Sequence, residues 1–207
     1  MARRPATKPR KHASQQRSRA TVDALVEATA RILVREGFDS ASTNRIAEQA
    51  GVSVGSLYQY FPGKEALVAA VIARHKQDLM RVARGVLAEV EGLPLKQAVR
   101  KMVTAGVKAH SHDPQLHRVL AEQMPRTGKL GNVDVFDPEN YALFKRYLES
   151  RRSEIRALDL DLAAFVCVTS IESLTHTAVL HHSATFSEEA MQALIDEATR
   201  LIVRYLQ

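Results

Sequence analysis

Eight histidines and one cysteine are the residues of this chain with the widest chemical range. Zinc and similar ions take imidazoles that converge, as two histidines four apart on one helix face do. His110-x-His112 with His117, and the adjacent His181-His182, lack that spacing. Both pairs fall at predicted helix ends, where the C-terminal dipole alone accounts for an imidazole. Cys167 lies inside an apolar helical stretch, the setting of an inert core thiol rather than of a nucleophile. The chain carries no Walker-type phosphate loop, no Gly-x-Ser-x-Gly elbow, and no Gly-x-Gly-x-x-Gly between a strand and a helix. Neither enzymatic chemistry nor a metal or other cofactor is expected.

A different chemistry is written between Thr43 and Phe61, which reads TNRIAEQAGVSVGSLYQYF. Two helices crossing closely through a tight turn need a small residue on the first helix, a residue tolerant of positive φ four positions on, and apolar residues that hold the crossing. Ala47, Gly51 and the set Ile46, Ala50, Val52 and Leu57 occupy those places. The second helix then offers Ser53, Val54, Gly55, Ser56, Tyr58, Gln59 and Tyr60, a polar and aromatic face with no carboxylate to repel phosphate. Ala-x-x-x-Gly alone would suit any helical hairpin. The whole set, behind a cationic N-terminus, points to DNA.

The elements that position this segment follow from the apolar spacing, which is helical almost throughout and never alternates long enough for a sheet. An all-α fold is predicted. Val22, Leu25, Val26, Thr29, Ile32 and Leu33 form the stripe of a helix from about Arg19 to Glu36, stopped by Gly37. Ser42 or Thr43 caps a second helix ending at Gly51, and Ser53 a third ending near Pro62. A long helix runs from Lys64 to about Gly92, followed by one at 95–111. Asp113-Pro114 and Asp137-Pro138 each open another, and 125–137 reads as a loop. Segment 160–182 is apolar around most of its circumference, and 187–206 carries a regular stripe. Such a pair needs a covering surface, which a homodimer or a thick monomeric core would supply.

Charge is concentrated at one end. Of the net +6 over 207 residues, residues 1–19 contribute +7 and hold no acid, leaving −1 for the rest. A basic arm with Pro5 and Pro9 is expected to be disordered when free and suited to phosphate backbones, although a solvated extension without a role has the same composition. At 45% hydrophobic and 25% charged the chain has a globular balance. Its longest uninterrupted apolar run, Ala66 to Ala73, is far short of the ~20 residues of a membrane span, and no apolar segment follows the basic N-terminus as in a secretory signal. With a single cysteine, the expected location is the cytoplasm.

The chain resembles the TetR-like transcriptional regulators. The resemblance rests on Ala28-x-x-x-Ile32-x-x-x-x-Gly37-Phe38, then Thr43-x-x-Ile46-Ala47-x-x-Ala50-Gly51-Val52-Ser53-x-Gly55-Ser56-Leu57-Tyr58-x-Tyr60-Phe61-x-x-Lys64-x-x-Leu67. It implies a disordered arm over 1–18, a helix-turn-helix domain over 19–63 whose third helix enters the major groove, and a helical effector-binding and dimerisation domain over 64–207. By the same resemblance the protein would be a repressor acting as a homodimer through about 160–206 on a palindromic operator. Thr43, Lys64 and Tyr58 would hold phosphates, and Arg45 would reach a phosphate or a guanine edge. Val54, Gly55, Gln59 and Tyr60 would face bases, with Leu57 and Phe61 in the core and a place partly in the core as the alternative for Tyr60. A releasing small molecule would bind among Met102, His110, Met124, Phe144, Tyr147, Phe165, Thr169, Glu172 and His176. Glu172 and His176, one turn apart on an apolar helix, need partners there or across a dimer interface. The rival reading is a non-specific architectural binder driven by the arm, which would show a steep salt dependence.

Overall fold

Caps and glycines divide the chain much as their chemistry dictates. The computed structural model describes residues 16–122, 138–157, 159–182 and 187–207. Among them are nine helices and no strand: α1 Gln16–Ser40, α2 Thr43–Gln49, α3 Val54–Tyr60, α4 Lys64–Glu89, α5 Leu95–Ser111, α6 Pro114–Glu122, α7 Pro138–Ser150, α8 Leu160–His182 and α9 Glu188–Leu206. The helix α1 begins at Gln16, taking in the end of the predicted arm, and is interrupted at Gly37, which takes φ +76°. Ser187 caps α9 through the Ala190 amide, and Glu188 and Glu189 face its N-terminal dipole. The predicted arm proper, the loop at 125–137 and Met124 lie outside the described residues.

Among the described residues two compact units result: 16–76 with 115–122, and 77–114 with those from 138 to 207. The first has a core of Leu25, Leu33, Ile46, Leu57, Phe61 and Leu67, all essentially inaccessible. Buried Thr29 returns its hydroxyl to Leu25 O at 2.7 Å, so the polar group in the stripe costs nothing unsatisfied. This unit reaches past the predicted limit at residue 63. Ala66, Leu67, Val68 and Val71 of α4 belong to its core, as do Leu116, Val119 and Leu120 of α6.

The second unit packs the remainder of α4 with α5, α7, α8 and α9 around Val99, Val103, Leu148, Cys167, Ile195 and Ile202. Gly106 lets α5 approach α8: a Cβ there would lie 3.2 Å from Thr175 Oγ1. Arg151, nearly buried, donates to Val90 O at 3.2 Å and to Glu154. Counting uninterrupted runs overlooked α8, whose Leu160–Leu180 stretch is long and apolar enough to cross a membrane by length and composition. Its Ala163, Ala164, Cys167 and Val168 are core residues of this unit. Its other side carries Leu162 and Phe165, 58% and 53% exposed, so the helix is buried on one side rather than all round.

Candidate nucleic-acid interface

Two seven-residue helices and the turn between them build an exposed polar face. Ser42 starts α2 by accepting the Arg45 amide. The helix closes when Gly51 N–H donates to Glu48 O and Val52 N–H to Ala47 O, both at 3.0 Å. That pair of bonds requires a left-handed residue at 51, and Gly51 takes φ +68°. Ser53 starts α3 by accepting the Ser56 amide at 3.1 Å, and its Oγ lies 2.9 Å from the Ser56 hydroxyl. Leu57 and Phe61 seat α3 in the core.

This seating leaves Ser53, Gly55, Tyr58 and Gln59 exposed, with Val54 and Ser56 half-buried. Val54 also packs against the core. A methyl at Gly55 would meet nothing nearer than Ser53 Oγ at 3.9 Å, so the fold does not require glycine there and the backbone stands open to close approach. The hydroxyls of Thr43 and Tyr58 lie 3.1 Å apart, joining the first residue of α2 to the outer face of α3. Tyr58 is 40% exposed, and α3 carries no carboxylate. Asn44, beside Thr43, is exposed too; its amide is a further donor at this helix start, which its place next to Thr43 signals.

Three expectations change. Tyr60 does not face outward: it is 9% exposed, and its hydroxyl donates to Ser18 Oγ at 3.2 Å. Leu57, Tyr60 and Phe61 fall at i, i+3 and i+4, a core stripe that was readable. Lys64 has an intramolecular task, donating to Phe38 O at 3.0 Å and standing 4.4 Å from the centre of the Phe38 ring. It ties the interruption of α1 to the start of α4. Arg45 is held bidentately by Glu36, with Nη2 to Oε1 at 2.7 Å, so it would have to exchange partners to reach DNA.

Comparison with known proteins bears on this geometry. Residues 25–71 match the bacterial regulatory proteins of the tetR family, and residues 94–206, more than half of the chain, match the tetracyclin repressor-like C-terminal domain. The chain belongs to the TetR family. That family comprises transcriptional regulators, not enzymes. The transcriptional activator FasR of Mycolicibacterium smegmatis is 34% identical over 98 residues, 47% of this chain and 44% of that protein. The transcriptional repressor KstR of Rhodococcus jostii is 36% identical over 50 residues, 24% of each chain. The matches thus span less than half the length of these curated relatives. The fatty acid degradation regulator FadR of Bacillus halodurans shares the fold, with a TM-score of 0.65 at 17% identity over 94% of this chain and 97% of its own.

In this TetR-family chain the second unit holds a cavity of about 80 Å³. Met102, His110, Phe144 and Glu172, four of the residues named above, line it. Asn140, Val82, Val86 and Ile171 join them, residues that spacing gave no reason to single out. The other candidates among the described residues are not on its wall. Tyr147 is buried under Arg151, whose guanidinium lies 5.4 Å from its ring centre. Phe165 is exposed and stacks on Tyr141, whose hydroxyl is 3.3 Å from Thr169 Oγ1. His176 meets His110 edge to face. Glu172 receives Asn140 Nδ2 at 3.2 Å, and its second oxygen lies 3.8 Å from His110 Nε2. Burial raises its carboxyl above the ordinary value of 4.5.

Burial also pushes the Cys167 thiol up to about 12, which suits a packing residue. His117 hydrogen-bonds His75, Nδ1 to Nε2, at 2.8 Å. Among the described residues no three metal-binding side chains converge.

Proposed function

We propose that this TetR-family chain is a sequence-specific DNA-binding repressor, working as a homodimer on a palindromic site and released by a small molecule. The observation that carries the reading is the outer face of α3: Ser53, Gly55, Tyr58 and Gln59 exposed together, free of carboxylates, on a helix fixed by Leu57 and Phe61. Tyr58 and Thr43 would share a phosphate, while Gly55, Val54 and Gln59 would approach base edges. Asn44, Ser53 and Ser56 would add phosphate contacts near the two helix starts. Residues 1–15 would follow the backbone, and the protein would meet its DNA in the cytoplasm.

A dimer is supported by the apolar residues left outside on the last two helices, Leu162 and Phe165 of α8 and Leu201 of α9, each more than half exposed. The cavity supports ligand control. Its size is well below the ~300 Å³ at which pockets for drug-sized ligands begin, so such an effector would enlarge it and favour a conformer different from this one. Repression asks least of the molecule, because occupying a promoter is enough.

The test is selection of genomic fragments by the purified chain, whole and lacking residues 1–15. A palindrome enriched by both forms supports the proposal. Uniform, steeply salt-dependent binding that vanishes with the arm would instead make this a non-specific binder.

A further inference from the structure

Within the ligand-binding reading just proposed, on which this inference rests, the wall of the cavity selects a chemical class. Val82, Val86, Leu87, Met102, Phe144 and Ile171 make most of it apolar. Glu172 and His110 are the ionisable residues on the wall, and no lysine or arginine is among the described residues that line it. One Glu172 oxygen is taken by Asn140, the other is 3.8 Å from His110 Nε2, beyond hydrogen-bond reach, and a third of the side chain remains accessible. A carboxylate in an apolar wall is poorly solvated, and a ligand donor that reaches it makes a charge-assisted bond where such bonds are strongest. A ligand carboxylate would meet like charge, with no lysine or arginine among the described wall residues to offset it. His176 approaches the same corner through its edge contact with His110, and Glu139 of α7 is engaged outside by Arg84.

We infer that the cavity takes an apolar amine, its protonated nitrogen donating to Glu172 and its hydrocarbon lying along α4 and α5 towards Val82. Val82 is 39% exposed, so a chain longer than the cavity leaves at that side.

The test measures binding of n-hexylamine, 1-hexanol and n-hexanoate to the full chain by calorimetry at neutral pH, with Glu172→Gln and Ala83→Phe as variants. Ala83 lies on the cavity wall and is half-buried, so phenylalanine there fills the space without entering the core. The expected result is an amine bound roughly tenfold or more tightly than the alcohol, with hexanoate weakest. That preference should disappear in Glu172→Gln, and all binding should be lost in Ala83→Phe. Alcohol or hexanoate binding as well as the amine would overturn the amine assignment and leave the cavity a ligand site. No binding by any of the three would overturn both.

Discussion

The Thr43 and Tyr58 hydroxyls, 3.1 Å apart, bridge the start of α2 and the exposed side of α3. Neither is needed to fill the core, and either can turn its proton to a neighbour, so under the proposed function the two would offer donors to one phosphate oxygen. Tyr58→Phe is expected to weaken operator binding by about 1 kcal/mol or slightly more, the scale of one lost hydrogen bond, while the melting temperature stays nearly constant. Fluorescence anisotropy on labelled operator and a thermal melt read the two quantities separately.

Gly55→Ala should move stability and binding in opposite directions. The site is helical and open, so alanine gains up to about 1 kcal/mol of helix propensity. The added methyl stands where bases would approach, so operator affinity should fall. Equal affinity in the variant would remove Gly55 from the interface.

Gly51→Ala is the counterpart. No atom lies within 4 Å of where the new methyl would sit, yet φ is +68°, so the cost is conformational, roughly 1–2 kcal/mol. Chemical denaturation should show a lower midpoint with an unchanged slope.

Glu172→Gln should stabilise the protein in a pH-dependent way. Because burial raises the folded carboxyl above 4.5, both states are protonated well below that value and the variant gains little. As pH rises through the folded value, the unfolded chain ionises freely while the folded one must ionise in a poorly hydrated site, so wild-type stability is lost. Gln is unaffected. The variant's advantage in melting temperature should therefore grow from acid to neutral pH, and a difference independent of pH would contradict this account.

Phe165→Glu tests the uncovered face. If α8 and α9 join two copies, the substitution removes the ~1.5–3 kcal/mol of burying one phenylalanine and sets a charge in its place. Sedimentation should show a monomer that keeps its helicity and binds operator weakly.

Much of the fold was legible because its boundaries are local chemistry. Ser42, Ser53 and Ser187 cap, Gly37 and Gly51 take positive φ, and Pro114 and Pro138 open helices, each readable from a few neighbouring residues. What escaped depends on contacts distant in sequence. Nothing near Arg45 announces Glu36, nine residues back across the Gly37 break, and nothing near Lys64 announces the Phe38 carbonyl. The uniformly apolar α8 could not tell its Cys167 side from its Phe165 side, because only packing distinguishes them. Asn140 became part of the cavity wall through the position of α7, which no periodicity encodes.

Glu36 makes Arg45 a guarded cation. An exposed ion pair of this kind contributes little to stability, about 0–1 kcal/mol, and is correspondingly easy to open. On the proposed DNA-binding reading, a nucleic acid that captured the guanidinium would strand the Glu36 carboxylate beside its own phosphates. That cost falls on every sequence alike, so it would shorten all visits by a similar factor and leave the choice between sequences to the contacts of α3.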